Sequence, residues 1–227
     1  MESIIHAHSL TLKYLTDTHP IIDQMNFEIL HGEFVVLTGK SGSGKTTFLK
    51  SIYGKKEIDG GSLKVCGLNM SKLSSNQLML LRRHLGIIFQ DYRLVDEWTV
   101  AQNVMLPLKI QGYSHSVCVR QVEKVLSHVK LLHKSQHFPY QLSGGEQQRI
   151  GVARAIAHNP LLIIADEPTG NLDTYSTEVI WNLLQGINKN LGTTILLATH
   201  QVPNLSQLSF KHYNLHEGEC KNASYRT

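Results

Sequence analysis

Apolar positions along the chain recur at two periods. Ile4, Leu10, Leu12 and Tyr14 fall on one side of an extended segment, with Ser9, Thr11 and Lys13 on the other. A second alternating run, Ile21, Met25, Phe27 and Ile29, follows a Thr-Asp-Thr-His-Pro turn at residues 16–20. This alternation predicts two hairpin-like antiparallel strands. Phe34-Val35-Val36-Leu37, Leu161-Leu162-Ile163-Ile164-Ala165 and residues 193–198 are instead continuous apolar runs, as expected of parallel strands buried on both faces. Residues 47–52 read as a helix, and Asp59-Gly60-Gly61 is a turn into a short strand over 63–66. Ser74 or Ser75 caps a helix carrying Leu78, Leu81 and Leu85, which Gly86 ends. Ile87-Ile88-Phe89-Gln90 is a short apolar run closing on a polar residue. From residue 91 to 160 the period lengthens: Cys118, Val122, Val125 and Val129, then Ile150, Ala153 and Ala157, repeat at helical spacing. This stretch reads as a helical insert in an α/β chain. Val179, Ile180, Leu183, Leu184 and Ile187 make a further amphipathic helix, and residues 210–227 a hairpin through Glu217-Gly218 that then frays.

Composition narrows the class without naming it. With 227 residues, 41% hydrophobic and 18% charged, the chain has the length and balance of a globular protein with a sizeable core. Its longest apolar stretches fall far short of the roughly 18 residues that cross a bilayer, and Met1-Glu2-Ser3 lacks a basic leader, so a soluble, non-secreted protein is expected. Three cysteines, Cys66, Cys118 and Cys220, form no C-x-x-C pair and suit free thiols. His6 and His8 share a strand face and His133 and His137 lie four apart, but no Cys, Asp or Glu completes either pair at zinc-site spacing.

Candidate chemistry begins at Gly39-Lys40-Ser41-Gly42-Ser43-Gly44-Lys45-Thr46, which fits G-x-x-x-x-G-K-[ST] between a buried strand and a helix that begins at Thr47. In that pattern backbone amides wrap a phosphate, the Lys reaches the terminal phosphates and the Thr hydroxyl ligates magnesium. Asp166-Glu167 ends the 161–165 run, and strand carboxyl ends in a parallel sheet gather around a ligand. Asp166 is placed to hold magnesium and Glu167 to orient or deprotonate a water. Leu142-Ser143-Gly144-Gly145-Glu146-Gln147-Gln148-Arg149 opens a helix with a hydroxyl and bare amides, a second anion site; Ser143 with Glu146 also makes a capping box. His200 sits just past the 193–198 strand.

Taken together, residues 39–46, Gln90, 142–147, 161–167, Asn171-Leu172-Asp173 and His200 resemble, in order, the Walker A loop, Q-loop, signature, Walker B with catalytic Glu, D-loop and H-loop of the ATPase domain of ABC transport systems. The likeness covers the chain nearly end to end. It implies an α/β P-loop NTPase of ABC type, with a mostly parallel core sheet flanked by helices, an antiparallel β subdomain and a helical subdomain. The single domain would span 1–227, with 1–90 and 161–227 as the α/β core and antiparallel subdomain, and about 91–160 as the helical subdomain. It also implies a Mg2+-dependent ATPase in which ATP is sandwiched between Walker A of one subunit and Ser143, Gly144, Gly145 and Gln147 of a second copy. By the same resemblance Lys45, Glu167 and His200 are catalytic, Thr46, Gln90 and Asp166 hold the metal, Asp173 lines the dimer contact, and Tyr14 stacks on adenine beside Gly39 to Thr47.

The segments Phe89 to Leu94, His137 to Arg149 and Ala165 to Asp173 are most similar to the cell-division branch of the family, with lipoprotein-release and macrolide-export ATPases sharing Pro168 to Asp173. The cell-division branch pairs with a four-helix, FtsX-like permease and signals to cell-wall hydrolases. That implies peripheral attachment to the cytoplasmic side of the inner membrane, with the permease docking near Gln90 to Asn103. Gln201 departs from the Asp that many members carry after the switch His. Family members acting on ribosomes or DNA usually carry two cassettes or a long coiled-coil insertion, and neither is present here.

Overall fold

The computed structural model describes residues 2–14, 19–202, 209–216 and 218–226. β1 (Ser3–Leu12) and β2 (Ile22–Leu30) pair antiparallel, as their alternation requires. Each carries a residue in the left-handed region, Ser9 at φ 46° and Gln24 at φ 45°, where the pairing register is irregular. Such bulges move side chains to the other face. Ile5 and Ala7 are therefore buried although out of phase with Leu10 and Leu12, and Ile22 enters the core where the alternation had placed Ile21. The turn expected at 16–20 lies partly outside the described residues.

β3 (Phe34–Thr38) leads through residues 39–44 into α1 (Lys45–Ile52). β4 (Gly60–Val65) and β5 (Leu68–Asn69) extend the first pair into an antiparallel sheet of order β2-β1-β4-β5. Next comes α2 (Ser75–Arg82), whose cap is Ser74 in a reciprocal box with Gln77. The helix stops at Arg82 and not at Gly86, because Leu85 and Gly86 belong to strand β6 (Leu85–Ile88). Gly86 serves a close approach instead of a helix end: a Cβ there would lie 2.4 Å from the carbonyl oxygen of Ala155.

Three helices fill the middle of the chain, α3 (Val100–Gln111), α4 (His115–His128) and α5 (Gly144–Ile156). β7 (Leu162–Asp166), α6 (Thr174–Leu191), β8 (Thr194–Thr199), β9 (Phe210–His216) and β10 (Glu219–Arg226) complete it. The predicted tail hairpin forms as β9 and β10, though Glu217 lies outside the described residues; pairing continues to Arg226 opposite Phe210, so the end does not fray.

The larger sheet has the order β10-β9-β3-β8-β7-β6, parallel throughout except for β10. Its central strands separate two cores. Phe34, Val36, Ile163, Ala165, Ile195 and Leu197 pack toward the core that α3 to α6 share, and Val35, Leu37, Leu162, Ile164 and Leu196 toward α1 and the antiparallel sheet. Each such Leu, Ile or Val removes apolar surface from water on whichever side it faces, about 1.5–3 kcal/mol per side chain. That is why these strands lack alternation. The consequence for function is positional: the carboxyl ends of neighbouring β3, β8 and β7 all open on one edge.

Candidate active site

Three strand ends build the site. β3 delivers the loop 39–44, β7 delivers Asp166 and Glu167, and β8 delivers His200; Thr38 pairs with Thr199 and Asp166 with Ala198, so the three ends lie side by side. Within the loop Gly42 and Gly44 have φ of 80° and 101°, a region that glycine enters without strain. Gly39 is required by space, since a Cβ would lie 2.5 Å from the Leu215 carbonyl oxygen. Gly44 caps α1 without a side-chain hydrogen bond, which leaves the helix start open to an anion.

The charged groups converge across this edge. Lys45 Nζ donates to the carbonyl oxygens of Gly39 (2.7 Å) and Lys40 (3.2 Å) and stands 3.8 Å from Glu167 Oε1. Thr46 Oγ1 donates to Asp166 Oδ1 at 3.0 Å. Burial pushes the Asp166 carboxyl above its usual range and the Glu167 charge adds to this, while the Thr46 hydroxyl opposes it. Glu167 adopts φ 45°, a conformation that costs a non-glycine residue about 1–3 kcal/mol. Its N–H donates to the Ala198 carbonyl at 2.9 Å, and its Oε2 accepts the His200 backbone N–H (3.2 Å) and meets His200 Nδ1 (2.9 Å). The two adjacent acids thus face different partners, Asp166 the Thr and Glu167 the His. A cleft of about 320 Å³ is lined by Ile21, residues 41–47, Gln90, Glu167 and His200, while Gly39, Lys40 and Asp166 stand outside its lining.

Of the other expected residues, Gln90 lines the cleft. Gln90 is exposed, its Nε2 3.5 Å from Asn171 Oδ1. Tyr14 does not line the cleft; its hydroxyl meets Thr47 Oγ1 at 3.0 Å and its ring is partly exposed. Ser143, Gly144, Gly145 and Gln147 do not line it either. Ser143 caps α5: its Oγ accepts the Glu146 N–H (3.3 Å), while its own N–H and hydroxyl donate to Glu146 Oε2 (2.9 and 3.1 Å). A Cβ on Gly145 would lie 2.5 Å from Ser176 Oγ, and one on Gly144 3.0 Å from the Tyr92 hydroxyl. Gln147 Nε2 donates to the carbonyls of Pro139 (3.1 Å) and Leu142 (3.2 Å). Asp173 caps α6, and hydrogen bonds from the Ser176 N–H and hydroxyl hold its carboxyl below the usual range.

One residue that spacing had not singled out joins these parts. Arg154 on α5 donates to the carbonyl oxygens of Arg93 (2.6 Å) and Tyr92 (2.7 Å), both at positive φ, just beyond Gln90. The signal available for it was a cation set among Ile150, Val152, Ala153, Ala155 and Ile156, all buried.

A strand-loop-helix phosphate cradle, two carboxylates and a histidine at neighbouring strand ends define a P-loop nucleotide site, and the family profile described as ABC transporter matches residues 22–170. The chain belongs to that family and is an ABC-type ATPase subunit. It is 46% identical over 198 residues to the cell division ATP-binding protein FtsE of Streptococcus pneumoniae (strain D39), spanning 87% of this chain and 85% of that protein. To the FtsE of Escherichia coli K12 it is 42% identical over 194 residues, 86% of this chain and 87% of the other. Among solved structures, the dimeric post-hydrolysis state of the ATP-binding cassette MJ0796 bound to ADP and Pi superposes with a TM-score of 0.88 at 30% identity, covering 98% of this chain and 99% of that one. The cbiO1 subunit of the Clostridium perfringens ABC transporter complex cbiONQ does so at 0.88 and 26%, covering 97% and 88%.

Proposed function

We propose that this protein hydrolyses ATP as a head-to-tail dimer, and that the closing and opening of the dimer drives a membrane partner in cell division. One observation carries the dimer: the cleft is lined by residues 41–47 of the phosphate loop but by no residue of 143–147, while Ser143 stands exposed on the start of a different helix. A second copy would bring that helix start over the nucleotide. The dimeric arrangement named for MJ0796 supports this reading.

Within the site, Lys45 is the cation for the β- and γ-phosphates, and the loop amides with Ser43 Oγ, a buried hydroxyl lacking a partner among the described residues, meet phosphate oxygens. Thr46 and Asp166 present oxygen donors 3.0 Å apart, which suits magnesium, and Gln90 at the rim would complete the protein's share of its ligands. The metal would neutralise charge on the triphosphate. Glu167 takes the proton of the attacking water, and His200, on its Oε2, fixes the carboxylate's direction. Tyr14 stacks on adenine and Asp173 contacts the second copy.

The partner is read as an FtsX-like permease, because relatives of this chain are cell division ATP-binding proteins. No helix among the described residues is long and apolar enough to cross a membrane, so attachment would be peripheral, at the cytoplasmic face, through the permease. Its docking surface lies on the exposed Asp96, Glu97 and Trp98 of the 90–103 stretch. Asn103 is buried and organises this surface from beneath, exchanging hydrogen bonds with Val95 and donating to the Trp98 and Thr99 carbonyls. Residues 91–160 move with it as the helical subdomain. Glu167→Gln tests the catalytic part: steady-state hydrolysis should fall at least about 100-fold with ATP binding retained, whereas an undiminished rate would remove Glu167 from the chemistry.

A further inference from the structure

The signature serine is not free to receive a phosphate. Its hydroxyl proton and its backbone N–H both point to one carboxylate oxygen, Glu146 Oε2. A helix N-terminus that attracts an anion from a second subunit therefore already holds an anion of its own, at the position where like charge opposes approach. The other oxygen of the same carboxylate, Oε1, accepts from Lys134 Nζ at 2.6 Å, an ion pair with both side chains mostly covered. Lys134 comes from the short 3-10 turn Leu132–Lys134 between α4 and α5, outside every motif of the nucleotide site. Burial alone would raise the Glu146 carboxyl, but the Lys134 ammonium and the two Ser143 donors outweigh it and hold the group below its usual range, so it is ionised at neutral pH.

We infer that Lys134 is a positioning residue for the composite ATP site: by neutralising and holding Glu146, it lets the Ser143 hydroxyl turn to the γ-phosphate presented by a second subunit. This rests on the sandwich reading above. The pair has opposite expected effects on its two ends, which a merely stabilising ion pair would not have. Removing the cation leaves an uncompensated carboxylate beside an incoming triphosphate. Removing the carboxylate leaves a neutral amide that still accepts the cap hydrogen bonds and repels nothing.

The test measures the ATP concentration that half-dimerises the protein, by light scattering, in a Glu167→Gln parent that retains ATP without turnover. Lys134→Gln should raise that concentration about three- to tenfold, the effect of one partly screened charge, and the gap should shrink at high salt. Adding Glu146→Gln to Lys134→Gln should restore or lower the parent value, and Lys134→Arg should keep it. Monomer affinity for a fluorescent ATP analogue should be the same in all variants. Lys134→Gln and Glu146→Gln shifting dimerisation in the same direction, or Lys134→Gln leaving it unmoved, would overturn the inference while the sandwich stands. A parent that never dimerises with ATP would overturn the sandwich and the inference with it.

Discussion

Lys45 shows what a single residue does before any nucleotide arrives. Its ammonium is lodged among the carbonyls of Gly39 and Lys40 and beside Glu167, so the loop is held in shape by the group proposed above to meet the phosphates. Lys45→Ala should weaken ATP binding at least about 30-fold, the lower end for loss of a buried charge partner; calorimetry showing unchanged affinity would refute the assignment of the loop. The thiols make a second, independent check on the fold. Burial pushes Cys66 up to about 11 and Cys220 up to about 12, so both stay protonated at pH 8. Native protein should resist iodoacetamide there and react on unfolding. Because the folded values lie above the unfolded ones, their contribution to stability is full below the ordinary thiol range, about pH 8.5, and declines as pH rises through it toward the folded values.

At the level of elements, the junction of the loop after Gln90 with α5 carries the most weight. Tyr92 and Arg93 sit at positive φ, and the guanidinium of Arg154 holds both their carbonyls. Arg154→Ala should cost about 2–3 kcal/mol in denaturant unfolding, since it unpairs two carbonyls and empties a covered position. ATP binding by the monomer should survive it. This junction also marks where sequence reading stops. β3, residues 39–46 and α1 were legible because a continuous apolar run, a glycine pattern and a helix start coincide within twenty residues. Asp166, Glu167 and His200 were legible as strand ends, although the positive φ that aims Glu167 at His200 was not, because nothing local marks it. The phase shifts at Ser9 and Gln24 and the strand at Leu85 were missed for a related reason: a leucine spaced for a helix is equally apt for a strand, and which one forms depends on the partner, here β7.

For the whole molecule, the parallel sheet shares one core with α3 to α6 on one face and another with α1 and the antiparallel sheet on the other, and the edge at its carboxyl ends carries the nucleotide site. The phosphate loop and the signature stand on different parts of it, and in one copy they do not close on the same cleft. In the head-to-tail pairing proposed above, each cleft would receive the other copy's signature, with ATP as the bond between subunits and hydrolysis as its release. Mixing two inactive variants tests this most directly. Lys45→Ala and Ser143→Arg should each lack hydrolysis alone, whereas a mixed dimer should carry one site with both groups intact. Equal mixing with random pairing should recover about a quarter of the wild-type rate if sites are independent. No recovery over a range of mixing ratios, with both variants folded, would contradict the shared site.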